Sequence, residues 1–468
     1  MTEGRKAVII VGEDKTNVAI NMAERLKGLS YQEVALWCER MLREEETVIA
    51  VNEVVKAWPL DGAFALAKAA RAVFGWIETR NAIKQTFLGP MKVPPVEVSV
   101  EVSYGEYISV PWGGLALPGV EGELQCGAGM HEGMPAFVVQ GEIKKKSLPL
   151  VKQLMNVTRD IVQAESIYKG KALIVEPVRN PDSGEMTILL EPPKFFKANG
   201  LTKEDLILPE AQYRAVNMAV FSMIEDSEAI VADGLPTKRT TVLDGQPGTG
   251  KTLTMSIAAG LCQKHGRTFI LLKDINFLED AISMADRYNF GPTLISAEDI
   301  DRRMSERDDT ANNLLNAIDG VDSKKLDIQF LLTTNHKDQL IETFQRAGRS
   351  DMIITLPVPD APAAALLLER YSTADFKVEK GEYEAIGELL AKAETLPANI
   401  AEVARRARYY RIAERADVID GDMLMNVALQ VVAEKKMEKK EKVVKEGKIE
   451  RIAKLMEALA NHCDLEVK

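Results

Sequence analysis

The chain has 468 residues, 46% of them apolar and 28% charged, and a formal net charge of −11. These are the proportions of a soluble globular protein with material for about two to four domains, and the acidic balance excludes general attraction to nucleic acid or anionic membrane, leaving only a local basic groove open. Cys38, Cys126, Cys262 and Cys463 lie far apart with no C-x-x-C pair, and the four histidines are equally scattered, so neither a disulfide framework nor a zinc site is supported and a reducing compartment is expected.

Residues 1–12 lack a secretory layout, and the longest apolar stretch, Gly62 to Trp76, carries Lys68 and Arg71 and is too short to span a bilayer. A cytoplasmic protein without membrane contact is expected. Residues 1–90 read as mostly helical, apart from a strand at Ala7–Val11. Apolar residues recur at helical spacing in Gln32–Arg43 and Ala63–Arg80. Trp37, Trp58, Trp76 and Trp112 are expected in the core rather than at an interface.

Pro94-Pro95 marks a boundary. Beyond it Val96, Val98, Val100, Val102 and Tyr104 alternate with Glu97, Ser99, Glu101 and Ser103, the pattern of a half-buried strand. Gly105, Gly113-Gly114 and Pro118-Gly119 punctuate short strands, including Ala136 to Gln140. A helix follows over Leu148–Ile167, then strands at Ala172–Val175 and Met186–Leu190. Residues 91–200 are expected to form a small α+β domain for client binding or assembly, without a catalytic constellation. Lys144-Lys145-Lys146 reads as a solvated turn.

The rest is organised around Gly245-Gln246-Pro247-Gly248-Thr249-Gly250-Lys251-Thr252, a complete G-x-x-x-x-G-K-[ST] phosphate loop followed by Leu253. Its glycines allow the backbone N–H groups to converge on phosphate oxygens. Lys251 supplies a point charge for the β- and γ-phosphates, and the Thr252 hydroxyl can ligate Mg²⁺. Thr241–Leu243 reads as the strand before the loop, and Leu253–Cys262 as the helix after it, whose N-terminal dipole adds to the anion site. ATP and Mg²⁺ are the expected ligands.

Further strands at Thr268–Leu272, Thr293–Ser296, Ile328–Thr334 and Met352–Leu356 alternate with helices such as Asn276–Tyr288. Such alternation implies a parallel sheet with ligands at the strand C-termini. The strand Thr293–Ser296 runs into Glu298-Asp299-Ile300-Asp301. An acidic pair there suits nucleotide hydrolysis: one carboxylate holds Mg²⁺ through its waters, and the other orients the attacking water.

With Leu332-Thr333-Thr334-Asn335 and then Arg346-Ala347-Gly348-Arg349-Ser350-Asp351, residues 205–415 resemble the AAA family of ATPases. The pairing of Glu298-Asp299-Ile300-Asp301 with Thr333-Thr334-Asn335-His336 is similar to the branch containing the mitochondrial Rieske-protein translocase and its bacterial and phage relatives. The resemblance implies an α/β P-loop AAA core over 201–358 with a helical lid over 359–433, preceded by the helical region and the small α+β domain. It makes Asn335 the sensor for the water or γ-phosphate, and Arg346 and Arg349 arginine fingers reaching a neighbouring subunit's nucleotide. It puts Ile207 near adenine and Ala398, in Pro397-Ala398-Asn399-Ile400, beside the nucleotide. A finger supplied in trans implies a homo-oligomeric ring, of about six or seven subunits by the resemblance. The expected function is an ATPase that remodels, assembles or chaperones a protein client.

Three departures bear on mechanism. The family order of the acidic pair is Asp-Glu; read position by position, Glu298 takes Mg²⁺ and Asp299 the water, while the exchanged lengths leave the division of labour open. Asp244 and Gln246 replace the usual aromatic or apolar residue and proline. After Leu272 the chain has Lys273-Asp274-Ile275-Asn276-Phe277 and no aromatic-apolar-Gly pore tripeptide, so peptide threading is not expected. The alternative from another class is a nucleic-acid-associated AAA motor or loader. A small-molecule P-loop kinase and a nucleotide-gated scaffold are further rivals. Residues 434–468 read as a charged C-terminal helix interrupted by Gly447.

Overall fold

The computed structural model describes residues 27–76, 78–80, 82–86, 89–94, 96–181, 183–198, 200–300, 327–335 and 352–437. Two compact units divide the chain: one takes residues up to 100 together with 107–166, the other takes 101–106 and everything from 167 onward. Ala7–Val11, Asp301, His336, Arg346, Arg349 and Gly447 lie outside the described residues.

The first unit contains α1 (Tyr31–Glu45), β1 (Val48–Val55), α2 (Pro59–Phe74), β2 (Glu78–Arg80), β3 (Ala82–Thr86), β4 (Gly89–Val93), β5 (Val96–Ser103) as far as Val100, β6 (Glu106–Ala116) from Tyr107 on, β7 (Gly122–His131), β8 (Met134–Lys144) and α3 (Leu148–Glu165). Its main sheet runs β1-β8-β7-β6-β2, with β5 beside β6. Among the described residues of 1–90, helices α1 and α2 are accompanied by strands β1, β2 and β3, which the helical reading did not include. Val48–Val55 pairs along its whole length with β8, Val51 facing Gly141 and Val55 facing Phe137. Its β-branched residues suit a pleated surface, and only a partner strand brings that preference out. Pro94-Pro95 consequently divides no domains, because β1 and β8 share one sheet. The helix expected to run to Arg80 stops at Gly75, whose φ of 79° gives a left-handed cap.

Helix α2 carries Ala63, Ala65, Leu66, Ala67, Ala69 and Ala70 among its buried residues, a small-residue surface that permits close approach to the sheet. Gly62 shows how close: a β-carbon there would overlap the buried Phe137 side chain. Gly62→Ala is expected to destabilise this unit by about 1–3 kcal/mol through overpacking, read as a lowered thermal transition. An unchanged transition would contradict the close packing. Of the tryptophans, Trp58 is core at 1% exposure, whereas Trp76 is 50% exposed. Trp37 sits half-buried on α1, a helix with no buried residue, so the core expectation fails for both. Trp112 is half-buried, its ring 6.5 Å from that of Phe137. The lysine run pairs with carboxylates: Lys144 and Lys146 both contact Glu46 and Glu121, at 2.6–2.7 Å, and pull Glu46 down to about 2.

The second unit contains β9 (Ala172–Val175), β10 (Val178–Arg179), β11 (Met186–Thr187), β12 (Lys194–Phe195), α4 (Glu210–Val216), β13 (Thr240–Asp244), α5 (Lys251–Lys264), β14 (Thr268–Leu272), α6 (Leu278–Arg287), β15 (Thr293–Ala297), β16 (Ile328–Thr334) and β17 (Met352–Thr355). One seven-stranded sheet runs β12-β9-β14-β15-β16-β13-β17. All its pairings are parallel except the β12 edge. Every residue of β13, β14, β15 and β16 is buried, as expected for a parallel sheet covered on both faces. Strand β9, assigned from sequence to the small domain, is hydrogen-bonded to β14 in this sheet, so the expected boundary at residue 200 moves back to 166. Met186–Leu190 contributes only the two residues of β11, in a hairpin with β10.

The lid follows as α7 (Ala361–Tyr371), α8 (Lys380–Lys392), α9 (Pro397–Glu414) and α10 (residues 421–437). It has its own core, including Leu367, Leu368, Phe376, Ile386, Leu390, Ile400, Val403, Leu424 and Val427. Among the described residues, no helix is long and apolar enough to cross a membrane.

Candidate nucleotide site

The site follows from strand register. Asp244, the last residue of β13, lies opposite Thr334 of β16, and Ala297, the last of β15, lies opposite Leu332. The segments leaving these strands, Gly245–Lys251, Glu298-Asp299 and Asn335, therefore emerge at one edge of the sheet. Sequential β13 and β14 lie on opposite sides of β15 and β16, so the edge beside β13 is a switch point, where open α/β sheets form crevices.

The loop's conformation depends on glycine at specific places. Gly248 has φ 85°, and a β-carbon there would come within 3.0 Å of the Ala398 side chain. The lid thus touches the tip of the loop. A β-carbon at Gly245 would meet Thr249 Oγ1 at 2.7 Å and the Leu356 carbonyl at 2.8 Å. The loop ends on α5, whose first residue, Lys251, is 6% exposed. Its Nζ donates to the carbonyls of Gly245 (2.5 Å) and Gln246 (3.1 Å) and to Asn335 Oδ1 (2.9 Å). Asp244, the departure next to the loop, is buried and accepts from Thr355 Oγ1 at 3.1 Å. The facing strand thus supplies the hydrogen bond that a buried carboxylate requires.

The acidic pair divides. Exposed Glu298 turns to α5, where Thr252 Oγ1 donates to Glu298 Oε1 at 2.8 Å. Half-buried Asp299 turns to β16, where Asn335 Nδ2 donates to Asp299 Oδ1 at 2.8 Å. The bend between them is in the backbone: Asp299 has φ 46°, a left-handed conformation that Asp and Asn adopt more readily than longer side chains. This gives a physical reason for aspartate at the second position. Glutamate at the first has the reach to meet the Thr252 hydroxyl.

A cleft of about 390 Å³ opens here, lined by residues 247–253 of the loop and helix start, Asp299 and Asn335, and closed by Leu206, Ile207, Leu367, Tyr371, Pro397 and Ala398. Leu206 belongs to the core beneath the sheet, while adjacent Ile207 packs against the lid core. One dipeptide thus joins the two bodies that form the cleft. Beside it Asp205 pairs with Arg370 of α7. The Thr202 main-chain N–H, with Arg370 adding, holds the Asp205 carboxyl below its ordinary range, partial burial opposing this only in part. Beneath the site Cys262 of α5 is an inert core thiol that burial pushes up to about 12.

Of the residues expected to bind nucleotide, Pro247 to Leu253, Ile207 and Ala398 line this one cleft, whereas Gly245 and Gln246 lie outside its lining and instead accept from Lys251 through their carbonyls. Sequence reasoning missed Leu206, Leu367, Tyr371 and Pro397, whose apolar character marks them only as core. Among the described residues no cluster of three or more His, Cys, Asp or Glu side chains could hold a metal by itself. The hard-oxygen pair of Thr252 and Glu298 does fit Mg²⁺, which takes few protein ligands and completes its shell with water and phosphate.

Comparison with known proteins agrees with this geometry. Residues 241–358 match the family described as "ATPase family associated with various cellular activities (AAA)". The mitochondrial chaperone BCS1 of Bos taurus is 29% identical over 161 residues, 31% of this chain and 38% of that protein. Proteasome-activating nucleotidase 2 of Haloferax volcanii is 26% identical over 285 residues, covering 56% of this chain and 67% of the relative. The 26S proteasome regulatory subunit 4 homolog B of Arabidopsis thaliana is 25% identical over 260 residues, 51% and 56% of the two chains. The chain thus spans between 38% and 67% of the lengths of these relatives. The phosphate loop, the divided acidic pair and the polar end of β16 all fall within the matched segment, and residues 241–358 of this chain are an AAA-family ATPase domain.

Proposed function

We propose that this chain hydrolyses ATP in a homo-oligomeric ring of about six or seven copies and uses the cycle to remodel, assemble or hold a protein client in the cytoplasm. The observation that carries the catalytic part is the convergence of Lys251, the Thr252–Glu298 pair and the Asp299–Asn335 pair at the ends of β13, β15 and β16.

Loop amides and Lys251 hold the phosphates, and the apolar walls from Leu206 to Ala398 take the base and sugar. Thr252 and, through water, Glu298 would hold Mg²⁺, which would supply charge neutralisation for the β- and γ-phosphates. Asp299 accepts the proton of the attacking water as its oxygen bonds to the γ-phosphorus, and the bond from that phosphorus to the bridging oxygen breaks to give ADP and phosphate. Asn335 orients Asp299 through its amide N–H. Arg346 and Arg349 are assigned to the neighbouring subunit's nucleotide.

The segment after β14 supports work without threading. Asp274 is buried and caps a short turn over Ile275–Phe277, accepting from Asn276 N at 3.1 Å. Ile275 is 5% exposed and Phe277 half-buried, so the segment packs inward instead of presenting an apolar grip. The unit before residue 166 is the candidate client-binding part. The chaperone and proteasome descriptions of the relatives fit a protein client.

Asp299→Asn tests the reading. It is expected to cut turnover by about 10²–10⁴-fold, the usual contribution of a positioned base, with ATP binding kept. The trapped protein, sized and used for capture with and without ATP, should form a ring and retain a defined protein only with ATP. Retention of nucleic acid would move the function to the motor or loader class. A monomer that captures nothing would defeat the ring reading.

A further inference from the structure

Where β15 ends at Ala297, two successive carboxylates must point at different targets. The left-handed backbone at Asp299 achieves this, and the neighbouring strand holds it. The Asp299 main-chain N–H donates to Thr333 Oγ1 at 3.1 Å, and the following N–H, of Ile300, donates to the Thr333 carbonyl at 3.0 Å. Thr333 is 2% exposed, so its hydroxyl is a fixed acceptor screened from water. Two residues on, Asn335 Nδ2 donates to Asp299 Oδ1 at 2.8 Å. The end of β16 thus grips Asp299 by its main chain and its side chain together.

We propose that Thr333 is a positioning residue for ATP hydrolysis, its hydroxyl fixing the bend that aims the Asp299 carboxylate at the attacking water. This rests on the assignment of Asp299 as the water-activating group. Thr333 makes its two bonds to the acidic segment, while nucleotide binding depends on Lys251 and the loop. Loss of the hydroxyl therefore acts on the chemical step and spares affinity. Misplacing a catalytic group by about 1 Å can cost about 10²-fold in rate.

The test uses the full chain and measures ATP turnover alongside the Kd of a fluorescent ATP analogue. Thr333→Val, which removes the hydroxyl at constant shape, is expected to lower kcat by about 10–100-fold with Kd unchanged. Thr333→Ser, which keeps the acceptor, should retain most of the rate. In an Asp299→Asn background Thr333→Val should cause no further loss. If Thr333→Val does not fold, Thr333→Ala removes the same acceptor and takes its place. Wild-type turnover in Thr333→Val overturns the proposal, as do equal losses in kcat and affinity, a serine variant as slow as the valine one, or losses additive with Asp299→Asn. Absence of hydrolysis in the unaltered protein overturns the ATPase reading and the proposal with it, and that control tells the two failures apart.

Discussion

Lys251→Ala is expected to abolish measurable ATP turnover, lowering it by at least about 10²–10³-fold, the scale for loss of one preorganised donor at a site of developing charge. Lys251 is 6% exposed, and its ammonium is anchored by the Gly245 and Gln246 carbonyls and by Asn335 Oδ1. Removing it deletes the charge aimed at the β- and γ-phosphates and leaves buried acceptors short of a donor, so affinity falls together with rate. Titration with a fluorescent ATP analogue and a phosphate-release assay measure the two losses separately. Wild-type affinity in this variant would show that the cleft binds nucleotide in some other way.

Arg349→Ala should behave differently. An arginine finger is worth about 10³–10⁵ in turnover and acts on transition-state charge, so the variant should bind ATP normally and fail to hydrolyse it. Because the finger is assigned to a neighbouring subunit, mixing Arg349→Ala with Lys251→Ala protein should restore part of the activity. In a mixed ring some sites combine an intact loop with an intact finger. Normal turnover by Arg349→Ala alone would remove the finger assignment. Failure to recover activity in verified mixed rings would remove the sharing of sites between subunits.

Much of this protein is determined locally. The phosphate loop is legible because anion binding requires glycines, lysine and a hydroxyl at fixed spacing within one turn of chain. The strands Thr268–Leu272 and Ile328–Thr334 are legible residue for residue, because a strand buried on both faces is a short apolar run with abrupt ends. Other features depended on a partner distant in sequence. Val48–Val55 became a strand because β8 lies beside it, and Ala172–Val175 joined the ATPase sheet because β14 accepted it as a neighbour.

Sequence also left open which member of Glu298-Asp299 faces the metal side, since either carboxylate can do either job. The fold separates them through contacts from two elements: Thr252 of α5 to Glu298, and Thr333 and Asn335 of β16 to Asp299. The walls of the cleft were likewise invisible beforehand, because Leu206, Leu367 and Tyr371 come together as its lining only once the lid meets the sheet. The sequence by itself determined the chemistry available, because that chemistry resides in residue types at short spacing. Only the tertiary structure decided that Glu298 meets Thr252 while Asp299 meets Thr333 and Asn335, and which side chains line the cleft, because strand register and lid packing join residues that the chain keeps far apart.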